Sequence, residues 1–344
     1  MHYTLRLCKQ AVSLRFNSHA LLYTALLTAV LFGTFLYAIT EGSYPLSLHD
    51  SVMSLLRQQQ AILDPQANVI IWEFRLPRSL VALLSGALFA LSGALLQNMT
   101  RNPLSDPSLV GISQGAALAV VTLTILFPSY IDNWREIAAF IGAVTIAIVI
   151  QLLRGNGHPL KFILLGVGVA AFISAIISSL LTYGDLPSAM AALSWLAGST
   201  HNSNWHDVHV LALAFMLIIS LTLYQARMMS VISLGDEVAI GLGINLKAIM
   251  LMQLSISVAA AAIATAVVGP LGFIGLLAPH LARKLVRSGP ANHLFLTALV
   301  GALLVLIADL IGRSVFAPTQ LAAGSVTALI GAPLFAYLLI TKKN

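Results

Sequence analysis

Few side chains in this 344-residue chain are placed for covalent or metal chemistry. None of its lysines closes a G-x-x-x-x-G-K-[ST] loop, so it carries no P-loop with which to hydrolyse ATP, and it reads as a non-enzyme. H-E-x-x-H and G-x-S-x-G are also missing, which removes the usual zinc-protease and serine-hydrolase arrangements. His201, His206 and His209 in "GSTHNSNWHDVH" are the one metal-like cluster. Their spacing lacks a convincing helix face, so a polar loop is favoured over a metal site. Cys8 is the single cysteine, which rules out a disulfide or cysteine-based metal site within one chain. No cofactor is implied. Among the acids, Asp309 falls deep in an apolar run; Arg313, four residues on, shares its helical face. An ion pair is therefore favoured over a proton relay.

Three polar stretches interrupt the apolar sequence. In "RNPLSDPSL", residues 101–109, Pro103 disfavours helix at Asn102, and Asp106 can cap a new helix with Pro107 at its first position. Only Leu104 and Ser105 remain between the stop and the start, which predicts a tight turn. In "SVISLGDEVAIGLGINL", residues 230–246, Asp236 can cap a short helix, Glu237 suits its first turn and Gly243 can end it before Asn245 starts the next helix. A short surface helix there is a natural docking knob for a soluble partner. In "EFRLPRSL", residues 73–80, Arg75 and Arg78 flank Pro77 at a helix start. They can anchor the helix at the interface or meet an acidic partner.

The elements that must position these residues follow from composition: 58% hydrophobic and 9% charged residues mark an integral membrane protein. A window of about 19 residues finds ten apolar runs, near 20–39, 79–98, 109–127, 137–153, 161–183, 207–226, 247–268, 270–287, 293–312 and 321–340. The fold expected is all-α and polytopic, with about ten transmembrane helices in a single domain over 1–344, a tail over 1–19 and the loop 230–246. The run 270–287 is the weakest, since Pro270, Gly272 and Pro279 punctuate it. The first run lacks a small-residue cleavage site near Glu41 and is expected to stay as a span.

An even number of spans puts both termini on one side. Thirteen lysines and arginines fall in that side's loops and five in the other's, so the termini and the loops at 101–109 and 230–246 are read as cytoplasmic. The net charge of +6 is then a topology signal with no bearing on nucleic acid. Small residues at four-residue spacing, as in Ala82, Gly86, Ala90 and Ala94, in Gly166, Ala170, Ser174 and Ser178, and in Gly324, Ala328 and Ala332, predict close helix packing. An ion-coupled carrier would leave the loop 230–246 without a job, and an intramembrane enzyme would need a constellation the motifs do not supply.

"RLPRSLVALLSGALFALSGALLQNMTRNPLSDPSLVGISQGA", "LGDEVAIGLGI", "GPLGFIGLLAPHLAR" and "GSVTALIGAPLF" resemble, in order, the signature blocks of FecCD-type permeases. These are the membrane subunits of type II ABC importers for iron-siderophores, haem and cobalamin. The resemblance runs from about residue 75 to the C-terminus. It implies a second permease subunit, identical or paralogous, around a central pathway, two cytoplasmic ATP-binding subunits and an extracytoplasmic solute-binding protein. It also implies an inner-membrane location in a Gram-negative host or the Gram-positive equivalent. Iron-siderophore is the expected cargo, with haem or cobalamin as the alternative.

Residue by residue, the resemblance assigns binding-protein docking to Arg75, Arg78 and Arg313. An inner gate is assigned to Asn102 and Leu104, with a further constriction at Pro159 and Leu160. ATPase coupling falls to Leu234, Gly235, Asp236, Glu237, Val238, Ala239, Ile240, Gly241, Leu242 and Gly243. The chain departs from the family's P-T-E-L-P-V-G, reading "PTQLAAG" with Gln320 for the acid and Ala322 for the proline.

Overall fold

The structure, a computed structural model, describes residues 2–7, 12–42, 44, 46–56, 65–108, 110–155, 159–232, 235–286, 288–315 and 319–341. Helix dominates because in hydrocarbon every backbone N–H and C=O must find its partner within the segment. The helices are α1 (Ser18–Thr40), α2 (Leu48–Leu56), α3 (Pro65–Val69), α4 (Leu76–Thr100), α5 (Ile112–Leu126), α6 (Ile131–Arg154) and α7 (Pro159–Tyr183). They continue with α8 (Leu186–Leu196), α9 (Trp205–Ile232), α10 (Asp236–Gly241), α11 (Leu246–Val268), α12 (Ile274–Leu285), α13 (Pro290–Ser314) and α14 (Ala323–Thr341).

Each of the ten apolar runs overlaps one of these helices. Among the described residues, seven helices are long and apolar enough to cross a membrane, while α5, α8 and Ala323–Tyr337 of α14 are shorter apolar helices. The run 270–287 yields only the 12-residue α12, because Gly269 (φ 75°) and Phe273 (φ 68°) take left-handed backbone before it. Helix α8, where a loop was expected, starts on Asp185, whose side chain accepts from the Ser188 N–H at 3.0 Å. The tail expected over 1–19 holds an antiparallel hairpin of β1 (His2–Leu7) and β2 (Val12–Asn17), pairing His2 with Asn17 and Leu7 with Val12.

Helix α4 is the centre of the bundle. The apolar window of its span is 83% buried, against 11% for α1 and 22% for α6 and α7. It packs on α9, α11, α12 and α13, and the small face read from the sequence makes this possible. A methyl group on Gly86 would stand 2.3 Å from the Gly301 carbonyl oxygen, so α4 and α13 touch backbone to backbone. Between α4 and α11 two serines exchange hydrogen bonds: Ser92 Oγ donates to the Ser257 carbonyl at 2.7 Å, and Ser257 Oγ to the Ser92 carbonyl at 2.9 Å. The small faces of α7 and α14 are only partly used. Gly166 meets the Val110 backbone and Gly324 the Ala197 carbonyl, but Ser174, Ser178 and Ala332 are exposed.

Candidate functional site

The residues singled out by sequence gather at the two ends of α4. At its N-terminal end, a π-type turn over Ile70–Arg75, with the Leu76 N–H donating to the Ile71 carbonyl, feeds into the helix and aims Arg75 and Arg78 inward. Arg75, Arg78 and Arg313 come together there, and all three are buried, at 5%, 8% and 5% exposure. Arg78 Nε and Nη2 donate to Asp309 Oδ1 at 2.9 and 2.8 Å, and Arg313 Nε lies 3.5 Å from Asp309 Oδ2. The expected Asp309–Arg313 pair is thus present, with Arg78 as the nearer partner. Arg75 Nη1 donates to the Ile39 and Thr40 carbonyls at 2.8 and 2.7 Å, and its Nη2 to the Tyr44 carbonyl.

Arg78 also binds two residues whose significance the sequence did not reveal. Its Nη1 donates to Gln320 Oε1 at 2.8 Å and lies 3.1 Å from His201 Nδ1. Because a guanidinium only donates, Nδ1 is the acceptor of that pair. Gln320, the departure from the family pattern, therefore touches the same arginine as Asp309. Of the three histidines, His201 serves Arg78, and His209 lies beside the Trp205 ring at 6.3 Å. Among the described residues, no group of three or more His, Cys, Asp and Glu side chains is gathered to hold a metal ion. A half-open cavity of about 910 Å³ adjoins the cluster, lined by Arg78, Arg135, Glu136, His201, Asp207 and Gln320 among others. Its mixed charges suit water or a polar solute, not a lipid tail.

At the C-terminal end of α4, Arg101 (φ 51°) closes the helix, as the following Pro103 requires. The connection is longer than the tight turn expected: α5 starts only at Ile112, after Gly111 at φ 90°. Asp106 does not cap α5. Its Oδ1 instead accepts from the Ser108 N–H at 2.8 Å and from Ser108 Oγ, closing a turn inside the loop. The loop has two parts. Arg101 and Leu104 are exposed, and Asn102 Oδ1 accepts from the Leu104 N–H at 3.0 Å. Ser105, Asp106 and Pro107 are buried. Burial pushes the Asp106 carboxyl above the usual range, against the opposing pull of Ser108 and of the Leu276 N–H. Pro159 and Leu160 open α7.

Helix α10 lies at this same end, since Arg101 Nη2 reaches the Ile232 carbonyl at 3.4 Å where α9 stops. Leu234 lies outside the described residues. Gly235 (φ 119°) stands at the cap position expected for Asp236, and Asp236 is the first helical residue. Gly243 ends the helix as expected: its N–H donates to the Ile240 carbonyl at 2.9 Å and the Ile244 N–H to the Ala239 carbonyl at 3.0 Å. Gly243 takes φ 80°, which a side chain would strain. Asn245 caps α11 by accepting from the Ala248 N–H at 3.1 Å. Ala239 is fully buried beneath α10, while Val238, Ile240 and Leu242 are 46%, 61% and 64% exposed. An apolar knob is therefore anchored on one face and open on the other.

Known proteins resemble the chain throughout. It is 37% identical over 281 residues to the Fe(3+)-citrate import system permease protein YfmE of Bacillus subtilis, covering 80% of this chain and 84% of that one. It is 38% identical over 281 residues to the achromobactin transport system permease protein CbrC of Dickeya dadantii, covering 81% and 80%. A solved structure of an inward-facing transporter assigned to the metal-chelate ABC type superposes with a TM-score of 0.81 at 29% identity, over 93% of this chain and 99% of that one. The model of the FecCD transport family matches residues 27–341, and the chain belongs to that family.

Proposed function

We propose that this chain is the membrane permease subunit of an ATP-driven importer and that its cargo is an iron-siderophore complex handed over by a solute-binding protein. The observation that carries this reading is the likeness to ferric-citrate and achromobactin permeases across about four fifths of the chain. In this reading residues 1–344 form one membrane domain of about ten spans, with both termini in the cytoplasm. A second permease completes the pathway, and two separate ATP-binding subunits hydrolyse ATP.

The ends of α4 then take different tasks. Arg75, Arg78 and Arg313 serve docking of the binding protein. Buried as they are, they act by shaping the rim and lending it positive potential, which raises the association rate more than the affinity. Asn102 and Leu104, with Pro159 and Leu160, form the inner gate. The segment from Leu234 to Gly243 seats in the ATPase, where the exposed Val238, Ile240 and Leu242 supply apolar contact.

The test is uptake of radioactive iron, supplied as ferric siderophores and ferric citrate, by a strain deleted for its own permeases, with and without this gene. Haem and cobalamin are run in parallel. Gene-dependent iron uptake is expected. Uptake of haem or cobalamin alone would replace the cargo, and no uptake of any would reject the reading.

A further inference from the structure

The buried half of the loop after α4 is seated on the start of α12. Ser105 is fixed by its Oγ at 2.6 Å from Thr100 Oγ1, and the Val110 N–H closes onto the Asp106 carbonyl at 3.2 Å. Asp106, 3% exposed, uses Oδ1 for Ser108, while Oδ2 has no full hydrogen bond of its own. That oxygen lies against the first turn of α12: a methyl group on Gly275 would come within 3.0 Å of it and within 2.9 Å of Pro107 Cδ.

Helix α12 lacks a side-chain cap, because the residue at its cap position is Phe273, whose ring has no acceptor to offer. Its Leu276 and Leu277 N–H groups turn back to the Phe273 carbonyl at 3.2 and 2.8 Å, and its first turn carries no acid to offset the positive end of its dipole. Asp106 supplies that missing negative group from another part of the chain. "LSDP" and "GFIG", stretches 165 or more residues apart, thus meet through one carboxylate and one missing Cβ.

We propose that Asp106 is the positioning residue of the inner loop: clamped by Ser108 and seated on the start of α12, it holds Asn102 and Leu104 at a fixed height relative to that helix. The consequence for transport rests on the permease reading, in which those two residues form the gate. The exposed lip then moves only when α12 moves or when the Asp106 contact lets go. Asp106→Asn keeps the shape of the side chain and an oxygen for Ser108 while removing the charge that faces α12, so labelling read beside Tm separates a positioning role from a merely structural one.

The measurement is thiol labelling of Leu104→Cys, in a full-length Cys8→Ser chain in inverted membrane vesicles, with a membrane-impermeant maleimide. Asp106→Asn is expected to keep the expression level and Tm of its parent while changing the labelling rate at least threefold. Asp106→Glu, which keeps the charge, should return part of the change. Gly275→Ala, which crowds Oδ2 together with Pro107 and the Phe89 carbonyl, should change labelling in the same direction as Asp106→Asn. Unchanged labelling in folded Asp106→Asn and Gly275→Ala overturns the proposal, and so does a rate that follows Tm and not the charge at 106. Should Asp106→Asn fail to accumulate, Gly275→Ala and Asp106→Glu decide by the same readout. No cargo enters this experiment, so it fails independently of the uptake test.

Discussion

Asp309 is the residue on which the arginine end depends. Its oxygens face Arg78 at 2.8 Å and Arg313 at 3.5 Å, and Thr200 Oγ1 also donates to Oδ1. Asp309→Ala takes the nearest carboxylate away from two buried guanidinium groups, a change that costs roughly 3–5 kcal/mol where it has been measured. A large fall in Tm in detergent is the expected outcome, with Asp309→Glu intermediate; an unchanged Tm would mean the arginines find other acceptors. Gln320→Glu runs the other way. It gives Arg78 a second carboxylate at the position where its amide oxygen accepts at 2.8 Å, and the Tm should hold or rise. At this scale the sequence revealed only the local pair, because Asp309 and Arg313 are one helical turn apart. Thr200, His201 and Gln320 reach Arg78 or Asp309 across 109–242 residues, and no periodicity encodes such contacts.

At the scale of the element, helix ends were legible where a single residue decides them. Gly243 and Asn245 did what their types dictate, and Pro103 stopped α4. Asp106 and Asp236 did not cap the helices expected of them, for a shared reason. Each has the right chemistry for a cap, but a glycine at positive φ, Gly111 or Gly235, occupies the cap position itself and sets the turn. Asp106 was then drawn to another helix by tertiary contact. Helix α10 gives a prediction of its own. Ile240 is 61% exposed beside the buried Ala239, so Ile240→Asp should leave the chain in the membrane yet abolish co-purification of the ATPase. ATPase retained at the parental level would free α10 of that task. Gly243→Ala should weaken the same association by loosening the helix end, at about 1–2 kcal/mol for the left-handed conformation.

At the scale of the molecule, composition and hydropathy located ten runs that each overlap a helix, but they missed α8 and could not rank the rest. The centrality of α4 comes from which small faces find partners: Gly86 meets Gly301, whereas Ser174 and Ser178 on the matching face of α7 are exposed. Sequence spacing is identical in the two cases, so only the fold distinguishes a face used internally from one left open. Ser174 and Ser178 are exposed on α7, one turn apart from each other and in line with the buried Gly166. A small, weakly polar stripe gains little from lipid, since tails cannot follow its grooves as closely as another helix can. In the importer reading this stripe faces the second permease. Ser178→Cys in a Cys8→Ser chain should therefore be joined by a short bis-maleimide, in native membranes, to a second copy or to a paralogous permease. Leu26→Cys on the exposed face of α1, 57% exposed, serves as the lipid-facing control and should stay single. Equal cross-linking at both positions would mark random collision, and none at Ser178 would place the subunit contact on another face. Ser174→Trp adds an independent arm. It fills the stripe without touching this chain's core, so a loss of the paired species with Tm unchanged would locate the contact on α7.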